Sequence, residues 1–545
     1  MRKHIFTLFL LSIFTGITTA QSLTDQLQQL QKEISTVDLG RYQYEQDFVF
    51  DKDDLTRVSI KTEKVDTKRD RSESRKVTFN LALLNKNMVR RSTSKSEMKI
   101  AIRTSKEIVE VYEEGDWKGY DDEVEILCQD IEAAKSLEKL LKEIIPMANE
   151  YWETTNALPE QIEDLLTLLK TETKDVVFGE EELKQALDFD KDYRDIVNLQ
   201  QTEKEDIDLQ FSIGDLQPRS VDYEVKSDQI FVSASTKKDR KFVLLEENGE
   251  LSYDDEIQIF VPTPDRAAFL VSVLKKAIPL CDSLIELRLP QPADQAAASK
   301  MLQSFLVAYS FNEDRYLQEI STDCRAVYKL TEEDEKGTET LRYEFNWGDI
   351  DPRSKEISLS KDQIEIELAI KGKKKYIEVQ EDGEFKAFDS DLTLAAPTVE
   401  AARSIMSVID MMIEGCPLEY TPKDITWLDK TLEAIQNVEE EFSQNLSAAD
   451  DNPCKLTLAV ADKEDNEQYE FDLSSINPRK IELNIRGTTV ELSMETKNDE
   501  KSINHYDEKG ELSYEDEIEF LLPNVENGRT ALVTFKALVE GCKAE

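Results

Sequence analysis

The chain has 545 residues, 39% hydrophobic and 33% charged, with a formal net charge of −46 at pH 7. That is apolar content enough for several cores, and length alone suggests roughly three to five domains. A field this negative repels nucleic acid and anionic lipid headgroups, which bind chiefly through Lys and Arg, so partners are expected to be neutral, cationic or bridged by divalent cations.

The N-terminus opens with Arg2 and Lys3, continues as an apolar run from Ile5 to Thr18, and ends in small residues at Ala20. This is the layout of a cleaved secretory leader over residues 1–20, too short in its apolar part for an ordinary membrane span. No Cys follows the cleavage point and no later stretch is apolar enough to cross a membrane, so a protein secreted or held in a periplasm is expected. Residues 21–36 read as an N-terminal helix.

From there the chain repeats itself. Each copy carries a Phe before a hydrophobic turn entry: Phe79 in FNLALLNKN, Phe211 in FSIGDLQPR, Phe345 in FNWGDIDPR and Phe471 in FDLSSINPR. At nearly constant distance beyond it stands an aromatic followed by acids, at Tyr120, Tyr253, Phe388 and Tyr514. Repeats of this length are whole small domains rather than solenoid units. We place them at 37–152, 191–288, 322–420 and 451–545, separated by helical linkers at 153–190, 289–321 and 421–450. The linkers are rich in Leu, Glu, Gln and Lys, as in ITWLDKTLEAIQNVEEEF. Within a copy, Pro218-Arg219, Pro352-Arg353 and Pro478-Arg479 read as turns, and Asn248-Gly249, Asp382-Gly383 and Lys509-Gly510 as hairpin turns. Alternation such as Ile481, Leu483, Ile485 predicts strands with one buried face. NGRTALVTFKALVEGC predicts a closing amphipathic helix. The fold class is therefore α+β: four small antiparallel sheet or barrel domains of six or seven strands, each closed by a C-terminal helix.

All six cysteines lie in the exported part, where disulfides are the default. Cys324 and Cys454 head a strand and Cys416 and Cys542 end the closing helix, so each pair is expected to close its own domain. Cys128 and Cys281 do not occupy matching positions; a bridge between them is left open by parity, with free buried thiols the alternative.

A domain of antiparallel strands with the FxxxxIxPR turn entry and a terminal helix after EIEFLLP resembles the pleckstrin-homology-like domain, and the resemblance extends over all four copies. It implies a barrel that binds peptides, lipids or proteins without catalysis. The basic phosphoinositide loop is missing, since Arg486-Gly487-Thr488-Thr489 stands in its place, so lipid reading is not carried over. A lipocalin-like cup is the structural alternative.

Few residues suggest chemistry. The triplets Asp121-Asp122-Glu123, Asp254-Asp255-Glu256 and Glu515-Asp516-Glu517 are candidate calcium ligands but lack the spaced ligands and glycine of an EF-hand, and read better as solvated turn acids. Beyond His4 in the leader the sequence has one histidine, His505, which excludes sites needing two imidazoles and reads as an exposed strand residue rather than a general base for a nearby Ser. No CxxC and no phosphate-cradling glycine motif occurs. The reading is an exported, non-catalytic binding or scaffolding array with no cofactor; the alternatives are a carboxylate-based hydrolase and a calcium-dependent adhesion protein.

Overall fold

The computed structural model describes residues 22–542 except 95–96, 180, 322, 361–362, 436–441 and 464–465. The expected leader, residues 1–20, lies outside the described residues. The chain forms two compact units, Met1–Arg288 and Leu289–Glu545, each holding two copies of one α+β pattern.

Copy one runs from helix α1 (22–33) to α2 (Ile131–Thr155), and copy two from α3 (Ile162–Glu172) to α4 (Pro264–Arg288). Copy three runs from α5 (Gln295–Phe305) to α6 (Val399–Glu414), and copy four from α7 (Ile425–Glu433) to α8 (Val525–Gly541). Copies one to three have nine strands between their helices. In copy two these are Val176–Phe178, Glu181–Phe189, Ile196–Thr202, Asp206–Ser212, Asp222–Lys226, Gln229–Ser235, Val243–Glu247, Glu250–Asp254 and Glu256–Phe260. Strands one to four, seven and eight make a six-stranded antiparallel sheet; strands five, six and nine make a separate three-stranded one. Copy four shows the same order with a five-stranded larger sheet among the described residues.

Two expectations are corrected here. Each copy has more strands than the six or seven expected, and in copies two to four the stretches read as helical linkers contain the opening strands. Val176–Phe178 and Glu181–Phe189 lie within 153–190, Tyr309–Phe311 and Asp314–Ile320 within 289–321, and Ser443–Ala449 within 421–450. Their Lys, Glu and Gln content resembles a helix, yet Leu183 and Leu187 alternate inward and pairing with the third strand decides the conformation. The helices of these stretches pack into the cores. Leu23, Leu27 and Leu30 of α1 are fully buried in the core of copy one, Leu165 and Leu169 of α3 in that of copy two, and Leu428 and Leu432 of α7 in that of copy four. Each copy is thus a helix, two sheets and a helix.

The repeated Phe occupies one structural position. Phe79, Phe211 and Phe345 are the penultimate residues of the fourth strand and Phe471 of its equivalent in copy four, Asn466–Asp472; all are buried, and they face Val58, Val197, Ala326 and Leu456 across the pair. The next residue caps a short 3₁₀ turn: the side chains of Asn80, Ser212, Asn346 and Asp472 accept from the backbone N–H two residues on. The following residues, Leu81, Ile213, Trp347 and Leu473, are wholly buried. The hairpin turns form where expected, with Asn248-Gly249 and Asp382-Gly383 both at positive φ, as the tight turn between two twisted strands requires.

The two sheets are tied by a glutamine that the sequence reading missed. On the second strand, Gln46 donates to the Leu127 carbonyl and accepts from its N–H, both at 2.9 Å. Gln185 does the same with Phe260, at 2.6 and 3.3 Å, and Gln444 with Leu521, at 3.0 Å each. In copy three Gln318 accepts from the Tyr328 hydroxyl, which itself accepts from the Ala395 N–H, so the link passes through a tyrosine. A side-chain amide here takes the place of a neighbouring strand. Gln185→Leu, which orphans the Phe260 N–H and carbonyl, should cost about 2 to 6 kcal/mol of stability in urea unfolding, at about 1 to 3 kcal/mol per unsatisfied group. A loss below half a kcal/mol would mean water replaces the amide.

Candidate functional site

The acidic triplets sit where the chain crosses from the larger sheet to the smaller. The carbonyl of each middle residue accepts from a backbone N–H at the end of the smaller sheet's middle strand: Thr104 to Asp122 and Thr236 to Asp255 at 2.7 Å, and Thr496 to Asp516 at 2.8 Å. Copy three makes the same bond, Ile370 to Ser390 at 2.7 Å, without a full triplet. The preceding Asp121, Asp254 and Asp389 accept from the corner N–H. Glu123 pairs with Arg103 and Asp121 with Arg75. Among the described residues, no three His, Cys, Asp or Glu side chains gather as a metal ion would require. The feature common to these acids is the corner.

His505 lies on the larger sheet of copy four in a row of cross-strand partners, opposite Tyr469 on one side and Ser513 on the other. Its ring stacks on Tyr469 at 4.5 Å, Nδ1 is 3.2 Å from Ser513 Oγ, and Nε2 is 3.5 Å from Glu467 Oε1. The residue types are those of a hydrolytic triad, but the relay is broken. Nε2 makes no hydrogen bond, and Glu467 is engaged at 2.7 Å by the Tyr469 hydroxyl. A base whose ring is not held by its carboxylate lacks the orientation that activates a serine.

Among the described residues, two clefts of opposite character illustrate what the copies could hold. The first, about 480 Å³, lies in copy one and is lined by Glu73, Glu97, Glu113, Glu114 and Glu125 with Lys64, Arg75 and Tyr44. Glu97 accepts from the Tyr44 hydroxyl at 2.8 Å, Glu114 from the Ser74 N–H at 2.8 Å, and Glu73 and Glu125 pair with Lys64 and Lys99. Burial, reinforced by Glu97, raises the Tyr44 hydroxyl well above its ordinary pKa and keeps it a donor. The second, about 650 Å³, lies in copy two between α3 and the turn after the second strand. Leu166 and Phe189 line it, with Lys170, Lys174, Lys191 and Arg194 against Glu163 and Asp190. The two are built by different elements and carry opposite charge, so the chain does not simply multiply one site.

Neighbouring copies within each unit are joined through the start of the second copy's closing helix. In Met1–Arg288, Arg57 bridges Glu110 at 2.7 Å and Asp265 at 3.2 Å, and Tyr120 packs on the core of copy two. Lys106 binds the Asp222 carboxylate and lies 3.9 Å over the Tyr223 ring. In Leu289–Glu545, Arg529 binds Asp349 at 2.6 Å and Glu526 at 3.3 Å, donates to the Tyr420 hydroxyl at 2.9 Å, and stacks 4.5 Å from Tyr376. Phe388 is part of the core of copy four.

Burial outweighs Arg57 at Asp265 and pushes its carboxyl up to about 6 from 3.8. A raised carboxyl favours the folded state in its protonated form, so this contribution is complete below 3.8 and is lost as pH rises through about 6. Relative to Asp265→Asn, the natural chain should gain about 1 kcal/mol of stability between pH 7 and pH 5. Parallel stability curves for the two would refute the buried carboxyl.

No family model matches this chain. No curated protein matches it either. Among solved structures, a puromycin-hydrolyzing peptidase of Mycobacterium tuberculosis aligns at 10% identity over 64% of this chain and 54% of that one, with a TM-score of 0.08. The chain thus spans about half of that peptidase, and a score so low carries no argument about fold or activity.

The disulfides are Cys324–Cys416 and Cys454–Cys542, each tying the start of the third strand to the end of the closing helix. Cys128 and Cys281 are free and buried, so the bridge left open between them does not form; they sit in the separate cores of copies one and two. Burial pushes their thiols up to about 11 and about 12, which keeps them protonated and unreactive at neutral pH.

Proposed function

We propose that the chain is an exported, non-catalytic array of four domains similar to pleckstrin-homology-like domains, which binds or scaffolds other molecules. One observation carries this reading: the residues that recur in all four copies hold the fold. The Phe, the 3₁₀ cap, the sheet-tying Gln and the corner carbonyl are committed to packing or backbone bonds, and the clefts differ between copies. The two sheets with a helix over the smaller one support the pleckstrin-homology-like resemblance, and the leading helix adds to that pattern. Two disulfides support export, since such bonds persist in oxidising compartments, and among the described residues no helix is long and apolar enough to cross a membrane.

The glutamate-lined cleft of copy one suits a cationic or neutral polar partner. The same cleft favours the rival reading, a carboxylate-based hydrolase. Titration of the full chain with an oligo-lysine peptide should show saturable binding, weakened at least tenfold by Glu97→Gln with Glu113→Gln, without change in melting temperature. Turnover of peptide or glycoside substrates that the same double variant abolishes would establish the rival instead.

A further inference from the structure

The joint between copies has two halves. The donating half is the eighth strand: Trp117 and Tyr120 meet edge to face at 5.8 Å in copy one, Phe385 and Phe388 at 5.2 Å in copy three, beside Arg57 and Arg325 at the head of the third strand. The receiving half is the first turn of the next copy's closing helix, an apolar residue followed by an acid: Pro264 and Asp265 in copy two, Val525 and Glu526 in copy four. Pro264 and Val525 are buried there, Asp265 pairs with Arg57, and Glu526 lines one small cavity with Arg325.

Each half also occurs uncovered. In copy four, Tyr514 on the eighth strand is 53% exposed where Phe388 of copy three is 7%, beside Leu512 at 47% against 39% for Trp117 and 40% for Phe385, and the position of Arg57 and Arg325 holds an exposed Lys455. In copy one, Ile131 opens α2 at 50% exposure, where Pro264 and Val525 are buried, and is followed by the exposed Glu132. Copies one and three have a bulge in the eighth-strand pairing that copy four lacks, so Leu512 and Tyr514 stand closer together on one strand face. We infer that these faces are partners between molecules: copy four of one chain docks on the α2 start of copy one of a second copy of the chain, Tyr514 and Leu512 covering Ile131 and Lys455 meeting Glu132. Such a contact is heterologous, so it propagates into rings or filaments rather than closing a symmetric dimer. The apolar patch must carry it against the repulsion of two strongly negative chains, so association strengthens as salt shortens the screening length to about 8 Å at 0.15 M. The inference holds whatever the clefts bind.

Sedimentation velocity of the full chain across a concentration series tests it. The natural chain should grow past dimer with concentration. Tyr514→Lys and Ile131→Lys, both at exposed positions and checked for unchanged melting, should each weaken assembly at least tenfold, and an equimolar mixture of the two should stop at dimers. Lys455→Glu and Glu132→Lys should each weaken assembly alone and restore it when combined in one chain. A natural chain that stays monomeric at every concentration, or a dimer abolished by Tyr514→Lys and untouched by Ile131→Lys, would overturn the inference.

Discussion

Replacing Cys454 and Cys542 together by alanine should lower the stability of the Leu289–Glu545 unit by about 4 to 5 kcal/mol, the chain-entropy value for a closed loop of this length. In a body of this size that corresponds to a fall of roughly 10 °C or more in melting temperature. The bridge fastens the head of the third strand to the last turn of α8, and these are the elements that position the 3₁₀ turn and its buried Leu473. Copy three shows how tightly this end is packed: a Cβ on Gly348, the middle residue of its 3₁₀ turn, would come within 2.1 Å of the Cys416 carbonyl oxygen. Urea unfolding of the double variant, beside the natural chain with and without reductant, measures the effect. A loss under about 1 kcal/mol would show that packing of α8 already constrains the unfolded loop, against the entropic account.

The parts of the fold legible in the sequence were those with a local signature. Phe79, Phe211, Phe345 and Phe471 announce the repeat because each precedes a capped turn that only a few side chains can make. The Asn-Gly and Asp-Gly turns and the two cysteine pairs are local or paired signals of the same kind. The opening strands were not legible, because their inward residues are few and their outward face is as rich in Lys, Glu and Gln as any helix. Gln46, Gln185, Gln318 and Gln444 were missed for a related reason. A glutamine in a polar segment reads as surface, and only the approach of the ninth strand turns it into a buried tie between sheets. The site was less legible than the fold. The acidic triplets were legible as turn acids but not as the corner whose backbone carbonyl they carry, and the copy-one cleft draws its glutamates from strands far apart in sequence.

Asp195→Cys should create a third disulfide, with Cys281. Asp195 stands two residues before Val197, the partner of Phe211, as Cys324 and Cys454 stand two before the partners of Phe345 and Phe471. Cys281 lies at the same place along α4 as Cys416 and Cys542 do beyond the starts of α6 and α8. Copy two replaces the bridge by an ion pair: α4 continues to Arg288, whose Nη1 reaches both Asp195 oxygens at 2.6 and 2.8 Å, and Ser212 Oγ donates to the same carboxylate at 2.6 Å. Asp195 is 2% exposed, so Arg288→Leu alone leaves a buried charge without its cation and should cost about 3 to 5 kcal/mol. Asp195→Cys with Arg288→Leu removes both charges and brings two sulfurs to Cα positions that sit 5.3 and 5.7 Å apart in the two bridged copies. Because burial holds the Cys281 thiol protonated, oxidation should be carried out during refolding. Intact mass showing loss of two hydrogens, blocked alkylation at Cys281, and recovery of the stability lost in Arg288→Leu by up to about 4 kcal/mol are the expected results. Alkylation of both thiols after oxidative refolding would show that copy two has drifted from the geometry its neighbours keep.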